Sequence, residues 1–233
     1  MHSRIGRRLW WRVRGRPSEL AFWQAWMLGA AGAEEWSDDR RARLDPETEI
    51  VDPLVRDAVE RAPGQNVSIL DVGAGPITNL GYVYPGKELT IVPVDPLADH
   101  YARLLEQAGL EPPIKTRPIA GEDLLVHFSP QNFDIAHAVN SLDHSSDPLL
   151  IAANMLELVR VDGVVLLRHH HNEGEHERYE GLHQWNFDCQ DGRLIFWNNA
   201  QRLDATEVLS ARGRTEAWVE GDEILARITR LEA

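Results

Sequence analysis

A glycine-bearing turn after a hydrophobic segment carries the clearest chemical signal in this sequence. Residues 69–76 read Ile-Leu-Asp-Val-Gly-Ala-Gly-Pro. Gly73 and Gly75 let the backbone approach a bound ligand with no side chain in the way. Asp71 offers a carboxylate to a ligand ammonium, which suits a zwitterionic ligand better than a pyrophosphate. The turn therefore predicts a ligand site at the carboxyl end of a strand, where ligands bind in open α/β sheets.

Two other glycine-loop chemistries fit the same turn less well. A dinucleotide loop of the pattern G-x-G-x-x-G would need glycine at position 78, where Thr78 stands. A Walker loop is excluded because no Gly-Lys-Ser/Thr follows. A nicotinamide-dependent oxidoreductase stays open as an alternative, and the missing third glycine speaks against it.

Asp95 is the second candidate, 24 residues after Asp71 at the end of the next strand-like segment. A carboxylate at this place can accept hydrogen bonds from both ribose hydroxyls of a nucleoside. Strand ends often carry aspartate, so Asp95 alone is weak. Together with the glycine turn, it predicts a ligand that contains a nucleoside.

These residues need a sheet to position them, and strand-like segments alternate with helical ones along the chain. Strands are expected at residues 67–72, 89–95, 114–119, 133–139 and 164–167, with helices at 98–108 and 148–159. Such alternation predicts a parallel sheet with right-handed crossovers. The last strand is apolar throughout, as expected for one covered on both faces.

The two ends of the chain differ from this central pattern. Residues 18–62 are expected to be helical, with breaks near Ser37 and Asp45 and a helix running from Pro46 through Val59. Turns at 190–192 and 221–222 predict two hairpins, and Asp204 with Glu207 predicts the start of a short helix.

The resulting expectation is one α/β domain. It has a Rossmann-like, mostly parallel sheet of seven strands with helices on both faces, closed by a C-terminal antiparallel hairpin. We expect a basic arm at 1–17, a helical cap at 18–62, and an α/β core at 63–233 with an insertion at 169–200.

Charge is unevenly distributed along the 233 residues. The net charge of −13 argues against a general nucleic-acid binder. Residues 1–17 hold six arginines and no acid, and the remainder carries 18 basic against 37 acidic residues. Weak contact of this arm with a membrane surface is one interpretation, and an ordinary chain terminus is the favoured one.

Cys189 is the single cysteine, so an intrachain disulfide is excluded and a reducing, cytoplasmic location is expected. Residues 21–33 imitate a secretory leader, but the segment carries Gln24 and two tryptophans. Phe22, Trp23, Trp26 and Met27 recur at helical spacing, which predicts an amphipathic helix. At 13 residues this segment is also too short to span a bilayer, and we expect no transmembrane segment.

Residues 67–167 resemble the class I S-adenosylmethionine (SAM)-dependent methyltransferases. The resemblance rests on residues 70–75, Val94-Asp95, 121–124, 133–135 and 142–148. It implies SAM as cofactor, with the glycine turn at its methionine part, Asp95 at its ribose and Glu122-Asp123 beside its adenine. The SAM-contacting residues it implies are Asp71, Gly73, Ala74, Gly75, Asp95, Pro96, Glu122, Asp123 and Asn140.

This chain departs from the family pattern in two places. Ala120 replaces an acid that usually precedes Gly121, which leaves adenine recognition by a side chain in doubt. Asp162 replaces the first glycine of the usual pair before the last parallel strand, a change of little consequence.

A narrower resemblance lies outside the SAM loop. Segments 22–26, 43–46, 75–76 and 172–186 are similar to methyltransferases associated with polysaccharide or glycosylated-metabolite pathways. This resemblance implies a pathway and not an acceptor. We expect a small-molecule or saccharide acceptor that is methylated at a hydroxyl oxygen. A non-catalytic binding module of the same fold is the alternative.

A hydroxyl acceptor loses its proton as it attacks, and a histidine or a carboxylate can take that proton. His144 follows the fourth strand where the acceptor pocket of the family opens, and His183 lies in the later insertion. We predict one of them as the base, with Asp143 in support. His137, inside the fourth strand, is expected to be a packed residue.

The run His169-His170-His171 with Glu173 also raises metal binding, because alternate residues of an extended chain share a face. No zinc-protease or cysteine-based spacing accompanies it. The sequence therefore predicts no metal ligand, and whether a divalent metal is required stays open.

Overall fold

The computed structural model describes residues 16–29 and 36–232. Most of the predicted basic arm, together with residues 30–35, lies outside this described part. The α-helices are α1 (Arg16–Leu28), α2 (Ser37–Leu44), α3 (Pro53–Arg61), α4 (Ala98–Ala108), α5 (Leu124–His127), α6 (Pro148–Leu158), α7 (Glu173–His176) and α8 (Ala205–Leu209). Single 3₁₀ turns lie at Gly121–Asp123 and Leu142–His144.

The strands form a central sheet and a smaller one. They are β1 (Asn66–Val72), β2 (Glu88–Val94), β3 (Phe133–Val139), β4 (Val159–His170), β5 (Asn186–Gln190), β6 (Arg193–Asn198), β7 (Gln201–Asp204), β8 (Gly213–Glu220) and β9 (Glu223–Arg230). The central sheet has the order β2-β1-β3-β4-β9-β8, and β5-β6-β7 form a separate antiparallel sheet. Strands β1 to β4 are parallel, whereas β9 and β8 close the sheet as the predicted hairpin.

Helices cover both faces of the central sheet. Successive side chains of β1 point to opposite faces, so Ile69 packs with α3 on one side and Leu70 with α6 on the other. The face of α6 also carries α8 and the β5–β6 hairpin, and it holds the larger core. The Rossmann-like fold expected from the sequence is confirmed.

The predicted strand at 114–119 is reduced to one parallel bridge between Arg117 and Val94. Arg117 N donates to the Pro93 carbonyl, and Asp95 N donates to the Arg117 carbonyl. Arg117 thus occupies the place of a seventh strand beside β2 without a full ladder. Two prolines at 112–113 and another at 118 lack the N–H that a longer ladder would use.

The predicted start of this helix at Pro46 is wrong, because the helix begins seven residues later, at Pro53. Asp52 caps α3 by accepting hydrogen bonds from the backbone N–H of Leu54 and Val55, and Pro53 takes its first turn. Before it, Glu49 lies in a parallel bridge with Val83. That bridge holds the preceding segment in an extended form.

The described residues contain no helix long and apolar enough to cross a membrane. Helix α1 packs beside α4 through the buried side chains of Trp26 and Tyr101. The predicted amphipathic helix at residues 21–33 is therefore present up to Leu28.

Candidate functional site

A cleft of about 1090 Å³ opens at the carboxyl ends of β1 to β4. Its floor is the turn after β1 and the segments after β2 and β3. Its walls come from α1 and from the segment after β4. Every residue predicted from the sequence to bind cofactor or to act in catalysis lines this cleft: Asp71, Gly73, Ala74, Gly75, Asp95, Pro96, Glu122, Asp123, Asn140, Asp143, His144 and His183.

The glycine turn is held against its neighbours on both sides. Gly73 and Gly75 have φ angles of 73° and 65°, in the left-handed region that favours glycine. A Cβ at Gly73 would lie 2.3 Å from Ser141 Cβ, and one at Gly75 would lie 2.9 Å from the ring of Trp23. The missing side chains thus make room for Ser141 and Trp23, which bring the segment after β3 and helix α1 up to the turn.

Asp71 is buried and already bonded on both carboxylate oxygens. Its Oδ1 accepts from His137 Nδ1 at 2.8 Å, and its Oδ2 accepts from Thr78 Oγ1 at 2.6 Å. Thr78 is fully buried, so the position that lacks a dinucleotide glycine belongs to the core. His137 is the packed residue predicted from the sequence. Asp71 therefore fixes the shape of the turn while it lines the cleft.

Asp95 presents a buried carboxylate, 8% exposed, at the end of β2. Its Oδ1 accepts from Leu97 N at 2.7 Å and its Oδ2 from Gly75 N at 3.2 Å. Burial raises the pKa of Asp95 to about 7 and outweighs these two hydrogen bonds. The free protein therefore holds a carboxyl that gains from further hydrogen-bond donors.

Glu122 and Asn140 border other parts of the cleft. Glu122 Oε1 accepts from Ser146 N and from Ser146 Oγ, at 3.1 and 2.6 Å. Asn140 adopts a φ of 42°, and its Oδ1 accepts from His170 N at 3.0 Å. Glu122 thus ties the 3₁₀ turn before β3 to the loop after β3, and Asn140 ties that loop to the end of β4, while Asp123 remains exposed.

Asp143, His144 and His183 converge on one point of the cleft. His183 Nδ1 lies 2.8 Å from Asp143 Oδ2, and His144 Nε2 lies 3.4 Å from that same oxygen. The two imidazole nitrogens are 3.3 Å apart. The sequence predicted these three residues at the acceptor end of the pocket, and the structure brings them into mutual contact.

The backbone explains how residues 39 apart meet. Gln184 N donates to the carbonyl of Asp143, and Trp185 Nε1 donates to the carbonyl of Ser145. The segment that carries His183 is thereby fastened to the 3₁₀ turn that carries Asp143 and His144.

The contacts within this cluster shift the pKa values of Asp143 and His183. Burial acts to raise the pKa of Asp143, but the charge of His144 and the hydrogen bond from His183 outweigh it and hold the pKa at about 2. Burial likewise acts to lower the pKa of His183, but the hydrogen bond to Asp143 outweighs it and raises the pKa. The geometry therefore couples an ionised carboxylate to an imidazole that keeps its proton readily.

The isolation of His169 was not predicted from the sequence. It is 2% exposed, stacks on the Phe187 ring with centroids 4.4 Å apart, and has no hydrogen-bond partner on either nitrogen. Burial lowers its pKa to about 4, so it is neutral at cellular pH. The end of β4 alternates, with His169 buried between partly exposed Arg168 and His170, and this alternation was the available signal.

The three consecutive histidines do not gather around one point. His171 Nε2 lies 2.8 Å from Asp188 Oδ1, whereas His170 lies half-exposed 4.0 Å from Asp222. Within the described part of the chain, the group of metal-ligating side chains is instead Asp143, His144 and His183.

Helix α1 supplies the aromatic wall of the cleft. Trp23 lines it, and Trp23 Nε1 donates to Glu19 Oε1 at 2.7 Å. Among other aromatic residues of this region, Trp26 and Trp185 are buried in the core, and the Tyr179 hydroxyl accepts a hydrogen bond from Asn186 Nδ2. Trp23 is the member of this set that faces the cleft.

Solved structures share this architecture at low sequence identity. A chain from the complex between the Haloferax volcanii Trm112 methyltransferase activator and a protein described as a methyltransferase aligns with a TM-score of 0.53 and 12% identity, covering 90% of this chain and 97% of that chain. The CurJ carbon methyltransferase aligns with a TM-score of 0.50 and 12% identity, covering 77% and 52%.

A Bordetella parapertussis protein described as a possible exported protein aligns with a TM-score of 0.50 and 11% identity, covering 85% of this chain and 79% of that chain. No family model matches the sequence, and no curated protein does. Identities this low establish a likeness of fold. The chain has the class I SAM-dependent methyltransferase fold, as the sequence resemblance implied.

Proposed function

We propose that this protein transfers a methyl group from SAM to a hydroxyl oxygen of an uncharged small-molecule or saccharide acceptor. One observation carries the proposal: the glycine turn, Asp95 and the Asp143–His144–His183 cluster all open into the same cleft. A cofactor seated on the turn and Asp95 thus shares its cavity with groups able to act on an acceptor.

The cofactor half of the cleft suits a nucleoside whose tail carries a cationic centre and a zwitterionic amino acid. Asp95 accepts hydrogen bonds from the ribose hydroxyls, the turn from Gly73 to Gly75 contacts the methionine part, and Asp71 faces the ammonium. Pro96 and Asn140 complete the contacts, with Glu122 and Asp123 flanking the adenine. SAM meets these requirements through its ribose, its amino acid and its sulfonium.

The charge of the cleft favours SAM over a dinucleotide. Ten acidic residues line it, whereas Arg43 is the single Arg or Lys among its described lining residues. Such a surface attracts a sulfonium and repels a pyrophosphate. The same argument favours an uncharged acceptor over a phosphorylated one.

The acceptor half must bring an oxygen in line with the methyl group. The oxygen forms a bond to the methyl carbon while the carbon–sulfur bond breaks, its electron pair passes to sulfur, and S-adenosylhomocysteine remains. The hydroxyl proton passes in the same process to an imidazole of the cleft or to solvent water. Asp143, His144 and His183 prepare this hydroxyl, either by taking its proton on an imidazole or by holding a cation that polarises it.

A binding and turnover experiment on the full chain tests the proposal. We expect S-adenosylhomocysteine to bind in calorimetry, and SAM to be consumed with uncharged hydroxyl acceptors faster than with their phosphorylated forms. His144→Ala and His183→Ala should lower kcat by about 10²–10⁴ because the hydroxyl is no longer prepared. Their affinity for S-adenosylhomocysteine should stay close to that of the wild type.

His171→Ala is the matched control, since His171 pairs with Asp188 outside the lining of the cleft. It should keep kcat. Binding without turnover on any acceptor would make the protein a cofactor-binding module, and unchanged kcat in both cleft variants would remove the catalytic assignment.

A further inference from the structure

We infer that Asp143, His144 and His183 form a site for one divalent first-row transition-metal ion, which binds an oxygen of the acceptor. The sequence predicted no metal ligand. His144 and His183 are 39 residues apart, and this separation is not a recognised metal-binding spacing. The site exists only through the packing of two loops.

The distances between the three donor atoms match those around a single ion. The edges of the triangle formed by Asp143 Oδ2, His144 Nε2 and His183 Nδ1 measure 2.8, 3.3 and 3.4 Å. Ligand atoms at about 2.0–2.2 Å from a metal ion are separated by about 2.8–3.6 Å when the angles lie between octahedral and tetrahedral values. All three edges fall in this interval.

Hydrogen bonds among the three atoms satisfy their bonding capacity poorly. Asp143 Oδ2 accepts only, so His183 Nδ1 carries the proton that points to it. His144 Nε2 then faces that same N–H at 3.3 Å and the same oxygen at 3.4 Å, which leaves it without a short hydrogen bond inside the cluster. A cation at the centre would use a lone pair from each of the three atoms.

The surroundings of the cluster point the same way. Asp143 Oδ1 is buried without a hydrogen-bond partner, and the Asp143 side chain is 4% exposed. The other ring nitrogen of His144, Nδ1, faces Glu19 Oε2 at 3.8 Å. A carboxylate near the outer nitrogen of a metal-binding imidazole orients the ring and increases its basicity.

The donor set selects the type of ion. Two imidazoles and one carboxylate suit Zn²⁺, Fe²⁺, Co²⁺ or Ni²⁺, whereas Mg²⁺ prefers a shell of oxygens. Three protein ligands leave at least one coordination position open, and the residues around them line the cleft.

The role in methyl transfer rests on the proposed function. An acceptor oxygen in the open position would be held and polarised by the ion. The imidazoles would then hold the ion, and the cation would be the group that prepares the hydroxyl. Ion binding itself does not depend on SAM chemistry.

Direct ion binding by the full chain is the test. After dialysis against a chelator, we expect calorimetry to find one high-affinity Zn²⁺ per chain, and Mg²⁺ in excess not to displace it. His144→Ala and His183→Ala should weaken Zn²⁺ binding by at least about 100-fold, because one of three ligands is lost. His171→Ala should bind Zn²⁺ as the wild type does, which excludes His171 as a ligand.

A second readout keeps the test independent of activity. Co²⁺ added to the wild type should give a visible absorption band of a protein-bound ion, and the two cleft variants should lack it. S-adenosylhomocysteine affinity, measured on the same samples, shows that each variant is folded. Zn²⁺ binding that is absent in the wild type, or unchanged in both variants, overturns the metal site.

The outcomes separate the two proposals. S-adenosylhomocysteine binding and turnover without a bound ion would leave the methyltransferase function standing, with an imidazole as base. Ion binding without affinity for SAM or S-adenosylhomocysteine would leave the metal site standing and remove the proposed function.

Discussion

Asp95 is a carboxyl whose surroundings oppose its charge, and this makes it sensitive to a ligand. Its pKa of about 7 compares with an ordinary value of 3.8. Because the folded-state pKa is raised, Asp95 contributes stability that is fully present below pH 3.8 and is lost as the pH rises through 7. Two ribose hydroxyls that donate to the carboxylate would favour its charged form and lower the pKa again.

Cofactor binding should therefore depend on pH in a defined direction. We expect the affinity for S-adenosylhomocysteine to rise between about pH 6 and pH 8, since a protonated Asp95 must lose its proton on binding. Calorimetry in buffers of different ionisation enthalpy should show proton release near pH 6 and little at pH 8. Asp95→Asn should bind weakly at every pH and lose this dependence.

Asp162→Asn is the control for that variant. Asp162 is exposed near the start of β4, away from the cleft, and its φ of 62° suits asparagine. Its pH profile should match that of the wild type. Proton uptake at pH 6, in place of release, would contradict the assignment of Asp95 to the ribose.

The place of a residue in the site could be predicted where its position in the chain alone determines it. Gly73, Asp95 and His144 follow strands, and the carboxyl ends of parallel strands meet at one edge. The partners of these residues were not predictable. That Ser141 fills the space beside Gly73, or that His183 reaches Asp143, depends on how loops fold over that edge.

At the scale of elements, helix α1 joins the two halves of the site. Trp23 packs against Gly75, and Glu19, one turn earlier, faces His144. Arg43 of α2 stacks on the Trp23 ring at 5.6 Å and donates to the Ile77 carbonyl. The helical cap is thus tied to the cofactor turn through the Trp23 indole, and to the residues just after the turn through Arg43.

Removing that indole should loosen the cofactor site. We expect Trp23→Ala to reduce S-adenosylhomocysteine affinity about tenfold, because a half-buried tryptophan contributes roughly 1–2 kcal/mol of packing on this turn. Gln24→Ala, exposed on the same helix, serves as the matched control and should bind normally. Equal affinity of the two variants in calorimetry would show that α1 does not support the cofactor turn.

The sequence predicted a helix boundary wrongly where two similar helix-start signals lie close together. Asp45-Pro46 and Asp52-Pro53 both have the composition of a helix start. Asp45 instead forms a local turn, accepting from Glu47 N, while Glu49 bridges to Val83. A distant strand-like contact decided the boundary, and no local pattern reports such a contact.

At the scale of the whole molecule, the cleft lies between the helical cap and the edge of the sheet. The fold was predictable because strands and helices alternate over residues 63–170 and a hairpin follows. The acidic character of the cleft was only hinted at by the net charge of −13. The structure concentrates ten acidic side chains around one cavity, where a cationic ligand relieves their repulsion.

A ligand that spans the cleft should stabilise the whole chain against unfolding. At S-adenosylhomocysteine about 100-fold above Kd, the free energy of unfolding should rise by roughly 2.7 kcal/mol, equivalent to an increase in Tm of about 5–10 °C. This gain should be larger at pH 8 than at pH 6, because affinity rises as Asp95 ionises. NAD at the same concentration should leave Tm unchanged, since its pyrophosphate would face the acidic lining. Thermal unfolding with each ligand measures both effects, and a rise in Tm with NAD alone would favour the oxidoreductase alternative and exclude SAM as the cofactor.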